Sequence, residues 1–108
     1  MARIAKRLAG PLQLAASTAT LYTVPAVTKT IVRHIHIANP TGGAVTVTMG
    51  IGADGATTRI FDAYSIASGA VLDHFCYYVL EAAELLKGHA SAATSLVATI
   101  DGDEIVLG

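Results

Sequence analysis

From Thr30 onward the chain alternates at strand period, which assigns Ile31, Arg33, Ile35 and Ile37 to one face and Val32, His34, His36 and Ala38 to the other. The run stops at Asn39-Pro40-Thr41-Gly42-Gly43. There Pro fixes φ, Gly supplies positive φ and Asn hydrogen-bonds its own backbone, so a turn is expected. Beyond it Val45, Val47, Met49 and Ile51 alternate with Thr46, Thr48 and Gly50, and the two runs with their short loop read as a β-hairpin. Upstream, residues 19–24 read as a strand closed by Pro25, whose Thr content suits a sheet edge. Downstream come a turn at Ala53-Asp54-Gly55, short strands at 59–61 and 64–66, a turn at Ser68-Gly69 ahead of Val71-Leu72, and strands at 75–80 and 94–100.

One segment is ambiguous. Leu80-Glu81-Ala82-Ala83-Glu84-Leu85-Leu86-Lys87 consists of good helix formers and ends at Gly88 as a helix C-cap would. Two strands flanking a four-residue polar turn fit it equally, and this reading is preferred because tertiary pairing overrides propensity. Turn signals every 8 to 12 residues or so, with no βαβ rhythm and no internal repeat, predict an all-β fold: a small antiparallel, jelly-roll-like β-sandwich of about eight short strands.

A length of 108 residues fits one core. The expected organisation is a basic N-terminal arm, residues 1–10, followed by a single sandwich domain, residues 11–108. Hydrophobic residues make up 53% and charged residues 14%, so much of the surface must be Ala, Gly, Thr and Ser, a composition that favours assembly. No apolar run approaches the roughly 20 residues that span a bilayer, and none of signal-peptide length follows Arg3, Lys6 and Arg7. A membrane partner is therefore not expected, and synthesis in a cytoplasm is. Cys76 stands alone between Phe75 and Tyr77, which excludes an internal disulfide and suggests a packed thiol. Net charge is −1, with the basic residues bunched at the front and Asp101, Asp103 and Glu104 at the back, a polarity that could orient head-to-tail contacts.

The sharpest catalytic hint is His34-Ile35-His36, two imidazoles on one strand face that could share a metal ion. Small jelly-roll metalloproteins of the cupin type carry such a pair but add a Glu shortly after it, and here the Asn39–Gly43 stretch holds no carboxylate. His74 and His89 sit in no recognisable ligand spacing, so polar residues on an exposed or subunit-facing strand are the preferred account, with a cupin-like metal site at His34 and His36 as the alternative. No metal or other cofactor is expected. Cys76 lacks electropositive neighbours, and no Gly-x-Ser-x-Gly elbow occurs. The glycines of Gly50-Ile51-Gly52-Ala53-Asp54-Gly55 open no long helix and read as hairpin chemistry. Asp54, Asp62, Asp73, Asp101 and Asp103 read as turn-forming acids. Tyr22, Tyr64, Tyr77 and Tyr78, which would serve a sugar-binding face if exposed, are expected to pack inward. Seven basic against eight acidic residues give no nucleic-acid footprint. The basic arm is expected to pack on, or exchange onto, a neighbouring subunit.

Three stretches together resemble a known family: Leu21-Tyr22-Thr23-Val24-Pro25, the run from Val32 through Asn39-Pro40-Thr41-Gly42, and Val45-Thr46-Val47-Thr48. They are similar to small virion structural proteins of tailed bacteriophages, over residues 8 to 105. In that family a Tyr-Thr-Val-Pro strand precedes a strand ending Asn-x-Thr/Ser-Gly, a Thr-rich strand, a Gly-Ala-Asp turn and a Val-Leu strand ahead of a polar turn. Ala83 stands where the last turn usually has Gly. The resemblance implies a non-enzymatic virion part made in the host bacterial cytoplasm, foremost a capsid decoration protein that binds and stabilises the assembled shell, or else a tail, collar or fibre component. Its implied partners are copies of itself, with a trimer expected, and the major capsid protein or other virion proteins. The interaction residues expected are Arg3, Lys6, Arg7, His34 and His36.

Overall fold

In the computed structural model, which describes residues 2–52, 55 and 57–107, the alternating runs become eight strands. They are β1 (Ala2–Gln13), β2 (Ala19–Thr23), β3 (Thr28–Ala38), β4 (Val45–Ile51), β5 (Arg59–Ile66), β6 (Val71–Leu80), β7 (Leu85–Ala90) and β8 (Val97–Val106). Two four-stranded sheets result, ordered β1-β8-β3-β6 and β2-β7-β4-β5, with every pairing antiparallel. The chain changes sheet at each connection except β4 to β5, which is the order of a jelly roll, so the expected all-β sandwich is the fold.

The connectivity corrects one reading of the sequence. β3 and β4 do not form a hairpin: they lie in different sheets, and the Asn39–Gly43 turn carries the chain from one layer to the other. Asn39 organises that corner as expected, its Oδ1 accepting from Thr41 N at 3.0 Å, while its buried Nδ2 donates to Gly43 O and Ile66 O, both at 2.8 Å. The hairpin is β4–β5, whose second strand runs through Asp62 and Ala63 instead of breaking there. The proposed turn at Ala53-Asp54 lies outside the described residues. Asp101 and Asp103 sit within β8 rather than in a turn, because β8 runs on to Val106 between β1 and β3.

Segment 80–87 is strand–turn–strand, as preferred. Glu81 N donates to Glu84 Oε1 at 2.6 Å and Ala83 N to Val24 O at 3.1 Å, which ties the turn to the end of β2. Ala83 holds φ +69, a left-handed conformation that favours Gly.

Side chains from both sheets meet in one apolar interior, where Val32, Ile35, Ile37 and Ile100 face Val47, Met49, Leu86 and Ala90, all 0 to 1% exposed. Each fully buried Val, Leu, Ile or Met side chain among them stabilises by roughly 1.5–3 kcal/mol.

The phase of β3 differs from simple alternation, and this decides where its functional side chains point. Val32 and Ile35, three apart, both face the interior, and the register slips between Val32 and His34 against both β6 and β8. This β-bulge turns Arg33, His34 and His36 to the outer surface. Arg33 is thus separated from Ile35 and Ile37, and Ile31 is buried outside the inter-sheet cluster. Gly102 of β8 makes the close approach possible. A Cβ there would lie 2.1 Å from the Ile31 carbonyl oxygen and 2.9 Å from Leu8 Cδ1.

Candidate functional site

β6 is an edge strand, hydrogen-bonded to β3 on one side only. Its alternation is regular: Leu72, His74, Cys76, Tyr78 and Leu80 turn inward, and Val71, Asp73, Phe75, Tyr77 and Val79 turn outward. Phe75 is 77% exposed and Tyr77 65%, with Val71 and Val79 about half exposed beside them. A row of large apolar side chains on an unpaired strand is costly to leave in water and marks a contact surface. Inward packing therefore fails for two of the four tyrosines: Tyr64 and Tyr77 are exposed, whereas Tyr22 and Tyr78 pack against the core. Cys76 is half-buried under this row, its thiol donating to Val32 O at 3.4 Å, and burial pushes its pKa up.

Beside the row, β3 presents its histidines. Asp73 stands directly across from His36 in the register and diagonal to His34, and its Oδ1 accepts from His34 Nε2 at 3.0 Å and from His36 Nδ1 at 2.6 Å. The hydrogen bond from His36, ahead of that from His34, holds the Asp73 carboxyl below the usual carboxylate range. The His34 ring stacks on Phe75, centroids 4.3 Å apart and planes within 11°. Its Nδ1 faces Asp101 Oδ2 at 3.8 Å. Arg33 lies over the Tyr77 ring, 5.7 Å from the centroid, so the aromatic row and the polar cluster form one continuous patch.

Arg3, Lys6 and Arg7 lie at the opposite side of the same sheet. They belong to β1, which pairs with β8 from Ala2 opposite Val106 to Gln13 opposite Val97. Arg3 donates to Asp103 Oδ2 through Nε at 3.2 Å and Nη2 at 2.7 Å, and Arg33 donates to the same oxygen at 3.1 Å. These bonds, the one from Arg3 foremost, hold the Asp103 carboxyl low. On the inner side Glu104 accepts from Lys6 Nζ at 3.2 Å and from the Tyr22 hydroxyl, which also contacts Thr30 Oγ1 at 2.8 Å. Burial and the Glu104 bond push Tyr22 up to about 12. Among the described residues Arg7 reaches Gly10 O alone, at 3.5 Å.

The five interaction residues expected from sequence thus fall at two separate places on one sheet. Sequence reasoning paired His34 with His36 but missed Asp73, which it read as a turn acid. The cross-strand register brings the carboxylate to the histidines, and only a correct β3–β6 pairing could have revealed it.

No family model matches the chain, and no curated protein matches it either. Among the solved structures similar to it are two with TM-scores above 0.5. One is a chain of the Bacillus endospore appendages, described as a family of disulfide-linked pili, at 15% identity and a TM-score of 0.58, covering 98% of this chain and 89% of that one. The other is a chain of infectious bursal disease virus, Gx strain, at 14% identity and a TM-score of 0.55. It covers 99% of this chain, which spans 33% of the viral chain. Among the described residues no helix is long and apolar enough to cross a membrane.

Proposed function

We propose that this chain is a non-catalytic structural subunit of a bacteriophage virion, acting as a capsid decoration protein that binds the assembled shell and stabilises it. The observation that carries this reading is the exposed row Val71, Phe75, Tyr77 and Val79 on a free strand edge of a jelly roll whose interior is already filled. Such a row gains most by being covered in an assembly. The resemblance to small phage virion proteins supports the virion setting, and the jelly roll shared with a viral chain and a pilus chain supports a structural subunit.

The two free edges of the first sheet differ. β1 carries Arg7, whose side chain among the described residues reaches a single carbonyl oxygen, and β6 carries two exposed aromatic rings. An edge-to-edge contact between copies is then heterologous, and such a contact gives a ring where its rotation closes and a filament where it does not; we propose closure as a trimer. Purified protein should bind empty shells lacking it and raise their melting temperature, as a ligand of the assembled state does. Absence of binding at saturating concentration would remove the decoration role. The pilus chain, matched over nearly its full length, favours a second reading as a tail, collar or fibre component. Immunogold labelling confined to the tail would decide for it.

A further inference from the structure

We propose that His34, His36 and Asp73 bind a divalent transition-metal ion on the outer face of the sheet, with Zn2+ the best fit. The inference is independent of the virion reading. One donor atom from each of the three lies within 4.8 Å of the other two, and Asp73 Oδ1 is already 3.0 and 2.6 Å from the two ring nitrogens. Tetrahedral zinc at about 2.1 Å from nitrogen and oxygen ligands needs donors roughly 3.4 Å apart, so side-chain rotation alone accommodates the ion. Two imidazoles and a carboxylate suit Zn2+ and exclude preference for Mg2+ or Ca2+, which take oxygen ligands.

The surroundings hold the set in place. Both histidines and Asp73 stand on adjacent, hydrogen-bonded strands, and the His34 ring is clamped by its stack on Phe75. When the ion takes His34 Nε2, the ring proton moves to Nδ1, which faces Asp101 at 3.8 Å, the kind of outer carboxylate that orients a ligating imidazole. On His36 the proton of Nδ1, shared with Asp73 before the ion binds, moves likewise to Nε2, which leaves Nδ1 free to ligate. Three protein ligands leave a fourth position open outward, beside Phe75, for water or for a group from whatever covers the face. This placement differs from that of a cupin-like centre, because the ligands lie outside the sandwich and the interior is filled with aliphatic side chains.

The test uses the full chain and ZnCl2 alone. Calorimetry should give one ion per chain, with the Kd raised at least tenfold in His36→Gln and in Asp73→Asn and unchanged in His89→Gln. Because a variant could bind poorly through misfolding, long-range 1H–15N NMR of the unmutated protein supplies the second readout: the ring nitrogens of His34 and His36 should shift with Zn2+ while those of His74 stay fixed. No binding at 100-fold excess of ion over protein, binding unmoved by both substitutions, or shifts at His74 instead would each overturn the site.

Discussion

The two sides of the first sheet handle their polar groups in opposite ways. On the β1–β8 side the two buried carboxylates are partnered within the chain: Arg3 and Arg33 converge on Asp103, and Lys6 and Tyr22 converge on Glu104. That cluster joins the first strand to the last and stitches the fold shut. On the β6 side, Phe75 and Tyr77 stand in water, the strand edge is unpaired, and Asp73 shares one oxygen between two imidazoles. The first region is tied together within the chain, whereas the second leaves its aromatic rings and strand edge uncovered. Substitutions should therefore separate them: changes on the β1–β8 side lower stability, and changes on the β6 side alter binding.

The largest stability effect belongs to Gly102→Ala. Its Cβ meets a backbone oxygen that cannot move aside, forcing β8 from β3, so unfolding in denaturant should show a loss on the order of 3 kcal/mol. Glu104→Ala removes the acceptor of Lys6 and Tyr22 on a side chain only 11% exposed, and the same measurement should show a loss of about 2 kcal/mol. Spectrophotometric titration should then find Tyr22 below its native value of about 12.

Acid sharpens the comparison further. Asp103 is held below its ordinary value of 3.8, so its contribution is fully present above that pH and is lost as pH falls through 3.8 toward the lower folded value. Melting temperature should drop more steeply over that window in the native chain than in Asp103→Asn. Next to the open side, Ala83→Gly relieves the left-handed turn between β6 and β7 and should stabilise by about 0.5 kcal/mol in thermal unfolding. The double substitution Phe75→Ser, Tyr77→Ser should leave monomer stability within about 0.5 kcal/mol, since both rings are mostly exposed.

Much of this fold is legible in the sequence because period-two alternation and turn chemistry are local signals. The Asn39 corner and the strands around Met49 and Val79 follow from them directly, whereas the turn at 81–84 competes with a helix in local propensity and is decided by pairing of the flanking strands. What escaped reading depends on partners far along the chain. β3 and β4 look like a hairpin because they are adjacent, but only burial between two layers separates them into different sheets. The bulge at Arg33 and His34 reflects the register of β6 and β8, and no residue in β3 announces it. β1 lacks alternation because most of its side chains are exposed, so its strand character comes from pairing with β8 alone. Asp73 escaped for the same reason, being a site residue by virtue of the strand opposite.

The central claim is that the β6 face is a contact surface between copies. Light scattering coupled to size-exclusion chromatography, run over a range of concentrations on the native chain and on Phe75→Ser, Tyr77→Ser, tests it most directly. The account requires the native protein to elute with the mass of three chains and the double variant with that of one. A native protein that stays a single chain throughout, or a variant that assembles as well as the native one, would contradict it.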